Sequence, residues 1–178
     1  MKLTFYYANP TSFTHKIGNF ILKVGEWVKF GHFAVGIESY SGNWIYEAVF
    51  PKTRKIEKKE WDKKYIVFSE ISWEVPEEFA GKVLEFLEEM VGKRYAVEQI
   101  LSIAVSIILF PLKYLIVGLN LNGARALVCT EVGSRLASKF WRFIPTGSHD
   151  EIGLSEMFSV GSRYKDNVKW SLQPEKNS

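Results

Sequence analysis

The spacing of apolar and polar positions changes several times along the chain, and each change marks an element. Leu3 to Ala8 (LTFYYA) is a short aromatic and apolar run that predicts an opening strand, closed by a polar turn at Asn9-Pro10. Thr14 to Val28 then alternates apolar and polar residues with a helical period. His32 to Glu38 (HFAVGIE) and Trp44 to Phe50 (WIYEAVF) are β-like runs on either side of the turn-rich SYSGN, which is the pattern of a hairpin. With a further strand expected from Tyr65 to Ile71, the first part of the chain predicts an antiparallel sheet of at least three strands.

The second part reads as helical. Pro76-Glu77-Glu78 is a helix start, Phe79, Val83, Phe86, Leu87 and Met90 share one face, and Gly92 is placed to end it. Ile100 to Leu119 is the most apolar stretch and approaches membrane-spanning length, but Pro111 and Lys113 break it into two short pieces. A buried helical hairpin or lid is the expected form, and contact with lipid or an acyl chain is the alternative. The last strong helix runs from about Cys129 to Phe140, with Cys129, Val132, Gly133, Leu136, Ala137 and Phe140 at three- and four-residue steps. The expected class is therefore α+β, an antiparallel sheet packed against helices. At 178 residues and 47% hydrophobic the chain suits one domain over residues 1–170, with 171–178 as a flexible tail.

Charge narrows the partners only slightly. The 23 basic and 20 acidic residues are too balanced and too mixed to suggest nucleic acid. The densest basic stretch, Lys52 to Lys64, is interrupted by Glu57, Glu60 and Asp62 and reads as a solvated strand and loop surface, with a site touching phosphates or anionic lipid headgroups as the lesser reading. A single cysteine forms no disulfide within the chain, and the start MKLTFYYANPTSF lacks the charged-then-apolar pattern of a secretory signal. The expectation is a cytoplasmic protein, or one delivered without its own signal. No metal site is expected, because HExxH and paired-carboxylate spacings are missing, and no cofactor, because GxxxxGK[ST] and GxGxxG loops are missing.

Candidate chemistry centres on that cysteine. Cys129 lies in LVCTEVGSRL, where an apolar segment turns directly into a helix, and the unpaired N–H groups of a first turn favour a thiolate nucleophile. Among His15, His32 and His149, only His32 opens a β-run; His15 starts a polar helix and His149 follows the Pro145-Thr146-Gly147 turn. With a four-residue loop from Ser39 to Gly42, Glu38 faces Asn43 and His32 faces Val49. Glu47 then becomes a diagonal neighbour on the His32 face, within reach of a long side chain. An odd-length loop would turn Glu47 away and leave Glu57 or Glu60 as the partner.

GHFAVGIE at Gly31, IYEAVF at Ile45, GKRY at Gly92 and CTEV at Cys129 follow one another in an order that resembles the circularly permuted papain-like fold. More narrowly, the chain is similar over about Met1 to Phe140 to the permuted NlpC-type, YiiX-like amidases and cysteine peptidases, whose remoter relatives include lecithin retinol acyltransferase. The resemblance implies Cys129 as nucleophile, His32 as general base, Glu47 as the residue orienting it, and Tyr95 lining the site for substrate. Arg94 stands where that family usually has proline, and the insert before Cys129 is unusually apolar. What is implied is a thiol hydrolase cleaving an amide bond, with cell-wall peptide the commonest substrate class. A lipid-directed acyl hydrolase or acyltransferase on the same residues, acting on an acyl-amide or ester, and a non-catalytic binding module are the competing readings.

Overall fold

The computed structural model describes residues 1–11, 29–49, 51–95, 126–127, 129–143, 154–166 and 168–172. It is α+β. Five long antiparallel strands are β1 (Lys2–Pro10), β2 (His32–Ser39), β3 (Gly42–Val49), β4 (Lys52–Glu57) and β5 (Tyr65–Glu74). Two short strands, β6 (Arg94–Tyr95) and β7 (Ala126–Leu127), extend the sheet, and its order is β5-β1-β2-β3-β4-β6-β7. Helices α1 (Lys58–Asp62), α2 (Glu77–Met90), α3 (Cys129–Trp141) and α4 (Leu154–Tyr164) complete the described elements.

The hairpin forms with the expected parity. Glu38 pairs with Asn43 and Ser39 with Gly42, so the turn proper is only Tyr40-Ser41, and Gly42 takes a positive φ of 123°. Three expectations are corrected. The polar turn at Asn9-Pro10 is the end of β1, where Pro10 opposite Tyr65 closes a strand that needs no further ladder donor. The strand from Tyr65 continues past Ile71 to Glu74, because Ile71 and Trp73 stay buried against β1. The charged stretch Lys52 to Lys64 is a strand followed by a one-turn helix, and Trp61 within it is fully buried.

Both faces of the sheet are covered. On one, Phe5, Tyr7, Phe33 and Val35 meet α2 through Val83 and Leu87, α3 through Val132 and Leu136, and α4 through Met157. The ring of Phe5 meets Phe33 at 5.0 Å and Trp73 at 4.9 Å, both edge-on, contacts worth about 0.5–1.5 kcal/mol beyond area burial. On the other face Ala8, Ala34 and Ile45 pack beneath Trp61 and Tyr65. Gly133 is what lets α3 lie close: a Cβ there would come within 2.5 Å of the Phe33 ring. The predicted helix over 14–28, the apolar segment 100–119, His15, His149 and the tail beyond residue 172 lie outside the described residues. Among those described, no helix is long and apolar enough to cross a membrane.

Candidate active site

The site gathers at one end of the sheet. His32 is the first residue of β2, Glu47 lies near the end of β3, Arg54 near the start of β4, and Tyr65 opens β5. Antiparallel order brings starts and ends of neighbouring strands together, so residues far apart in sequence share this margin. The first turn of α3, with Cys129, reaches the same place. Its approach is fixed by docking: Thr53 donates its backbone N–H to Lys93 O at 2.8 Å, Gly92 donates to Thr53 O at 2.8 Å, and β6 then pairs in parallel with β7. Gly92 takes a φ of 85°, which is what turns the chain from α2 into this docking.

Glu47 is the electrostatic centre. Its side chain is fully buried, and its two oxygens take four donors. Oε2 meets His32 Nε2 at 2.6 Å and accepts from Trp61 Nε1 at 2.9 Å. Oε1 accepts from Arg54 Nε at 2.8 Å and from a terminal guanidinium nitrogen of Arg54 at 2.6 Å. Burial alone would raise the Glu47 carboxyl; the hydrogen bond and charge of His32, then Arg54, outweigh it and lower the group to about 2.

His32 is only 7% exposed. Burial would make its imidazole harder to protonate, but a hydrogen bond with Cys129, the hydrogen bond and charge of Glu47, and the charge of Cys129 raise it to about 9. With Nε2 given to Glu47, Nδ1 is the ring nitrogen left for the sulfur. Tyr65 lies flat on the imidazole, ring centres 4.7 Å apart and planes 16° apart, and Trp61 stacks on Tyr65 at 4.8 Å. This aromatic stack leaves the imidazole little room to flip. The Tyr65 hydroxyl is pushed up by its own burial and by the Glu47 charge.

The structure thus brings together Cys129, His32 and Glu47. Tyr95 is placed by its backbone, paired with Leu127 two residues before Cys129. Glu57 and Glu60 do not contact His32; Glu60 instead pairs with Lys63 at 2.6 Å. Arg54, Trp61 and Tyr65 went unread in the sequence, because all three sit in or against a charged run whose composition signals solvent. Two signals were available: the lone tryptophan in KKEWDKK, and the alternation of β4, which sets Arg54 opposite Glu47. Among the described residues no group of three or more His, Cys, Asp or Glu side chains is placed to hold a metal ion.

Comparison with protein-family models, with curated proteins and with solved structures gives no match.

Proposed function

We propose that the chain is a thiol hydrolase that cleaves an amide bond through a Cys129–His32–Glu47 triad, built on a circularly permuted papain-like fold in which the histidine strand precedes the cysteine helix. The observation that carries this reading is the buried imidazole with two side-chain partners, Glu47 at 2.6 Å on Nε2 and the thiol of Cys129. A structural histidine needs neither a buried carboxylate nor a thiol. An activated nucleophile needs both.

The steps follow from the groups. Nδ1 of His32 takes the thiol proton, and the Cys129 sulfur attacks the carbonyl carbon. The oxyanion that forms faces the first turn of α3, where the Cys129 backbone N–H has no helical acceptor. Collapse breaks the C–N bond as His32 returns the proton to the leaving amine, leaving a thioester on Cys129. Water, deprotonated by His32, then releases the acid and restores the thiol. Glu47 stays ionised throughout and holds the imidazolium in place. Tyr95, beside the strand that leads to Cys129, is assigned to the substrate side.

Active-site titration tests the reading without knowledge of the natural substrate. At neutral pH, iodoacetamide alkylates Cys129 in the folded protein, and an activated acyl ester leaves a thioester of the expected added mass. His32→Ala slows both by ~10² to 10⁴-fold, the usual worth of a positioned general base, while circular dichroism and melting show a folded domain. A folded protein whose Cys129 resists iodoacetamide would falsify the proposal. A lipid ester as the acyl donor is the second reading, favoured by the exposed run Ile66, Val67 and Phe68 that follows Tyr65. Cleavage of a phospholipid but not of an acyl amide or peptide selects it.

A further inference from the structure

We propose that Arg54 and Trp61 are positioning residues of this site: by occupying the remaining acceptor positions of Glu47 they fix its carboxylate in place, so that His32 carries its proton on Nε2 and presents Nδ1 to Cys129. The consequence for catalysis rests on the thiol-hydrolase reading; the fixing of Glu47 rests on geometry alone.

A carboxylate has about four lone-pair directions, and all four are taken at Glu47. Two go to the Arg54 fork, at 2.8 and 2.6 Å on Oε1, and two to Trp61 Nε1 and His32 Nε2 on Oε2. Rotating the carboxylate about its last bond would break the paired Arg54 contact, and protonating it would turn one acceptor into a donor facing a donor. His32 therefore meets an oxygen that can only accept. That forces a proton onto Nε2 in either charge state, and in the neutral ring it leaves Nδ1 as the base.

The two holders are chemically suited to the task. Arg54 sits directly opposite Glu47 in the β3–β4 ladder, so the strands themselves aim the fork. Its side chain is 37% exposed while that of Glu47 is fully buried, so the cation compensates the buried charge while keeping part of its own hydration. Trp61 is donor-only, buried, and pinned between Tyr6 and Tyr65 by ring contacts of 5.4 and 4.8 Å. The remaining ionisable groups in reach are Cys129, whose charge bears on both His32 and Tyr65, and the Tyr65 hydroxyl, which burial keeps neutral and which is a further hydrogen-bond partner of Glu47. Neither brings a positive charge to Glu47, whose charged partners are His32 and Arg54.

Nuclear magnetic resonance of the His32 ring and the Glu47 carboxyl separates positioning from mere packing. In the wild type, neutral His32 shows one tautomer, protonated on Nε2. Arg54→Gln, which keeps a polar chain without the charge, and Trp61→Phe, which keeps an aromatic ring without the N–H, give a mixture of tautomers above the imidazole titration. The Glu47 midpoint rises by ~1 pH unit in Arg54→Gln, the low end of what one adjacent guanidinium contributes, and Arg54→Lys returns most of that shift by restoring a cation. Variants that keep the single Nε2–H tautomer with an unmoved Glu47 midpoint would overturn the proposal. Iodoacetamide alkylation in the same samples tells the two ideas apart. An inert wild-type Cys129 sinks the hydrolase reading and leaves the positioning result standing, whereas a reactive Cys129 with unaltered tautomers in both variants sinks the positioning role alone.

Discussion

Replacing one oxygen of Glu47 by an amide nitrogen puts a donor among donors. In Glu47→Gln the charged Arg54 fork, with two hydrogen bonds to give, claims the amide oxygen. The NH₂ group is then turned towards His32 Nε2 and the Trp61 indole N–H, which sit 2.6 and 2.9 Å from the present Oε2. Facing a donor, neutral His32 moves its proton to Nδ1, which takes away the base that the proposed mechanism places on that nitrogen. Turnover of an activated ester is expected to fall by ~10⁴-fold, the cost of a wrong tautomer in a comparable triad, with a stability loss of roughly 1–3 kcal/mol for the buried unsatisfied indole donor. A variant with undiminished turnover would remove Glu47 from the mechanism. His32 and Glu47 were legible in the sequence because hairpin parity alone decides whether they share a face. Arg54 and Trp61 were not, since nothing in the composition of KTRKIEKKEWDKK distinguishes a fork aimed inward from a solvated cation.

The element that delivers the thiol does so through an absence. Gly133 lies one turn after Cys129 on α3, and a methyl group there would press within 2.5 Å of Phe33, the residue next to His32. Phe33 is itself fully buried and meets Phe5 and Tyr7 at 5.0 and 5.5 Å, so it has no free direction to yield. Gly133→Ala is expected to cost about 1–3 kcal/mol by overpacking and to tilt the start of α3 away from β2, slowing Cys129 alkylation in protein that is still folded. Gly161→Ala is the control. Its added Cβ would come equally near the Tyr7 hydroxyl, but α4 carries no site residue, so melting falls while the alkylation rate holds. Equal slowing in both variants would show that lost stability, not helix placement, governs the thiol. Helices α2 and α3 were readable because their apolar positions recur over several turns. With five residues α1 is too short for any period to declare itself, and α4, whose Leu154, Met157 and Val160 do keep helical steps, went unread although the signal was there.

At the scale of the whole molecule, the buried His32–Glu47 pair couples folding to pH from both sides. Glu47 is lowered from 4.5 to about 2, so its contribution is fully present above 4.5 and drains as pH falls towards 2. His32 is raised from 6.5 to about 9, so its contribution is fully present below 6.5 and drains as pH rises through 9. Stability from the pair therefore peaks between 4.5 and 6.5. Each shift taken alone corresponds to about 3 kcal/mol, but both describe largely one interaction, so they do not add. Heating the wild type at a series of pH values should show the melting temperature falling by ~6–12 °C between pH 6.5 and 9.5, given roughly 2–4 °C per kcal/mol for a chain of this size. His32→Gln removes the titrating group and should flatten that alkaline arm, while leaving the acid arm set by the protein's other carboxylates. The sheet that makes this coupling was foreseeable as an antiparallel α+β core. That its margin would bury an ion pair was not, because burial of Glu47 depends on β4, α1 and β5 closing over one end of the hairpin, and closure of that kind belongs to topology. An alkaline arm equally steep in His32→Gln would mean that groups other than this histidine set the upper pH limit of the fold.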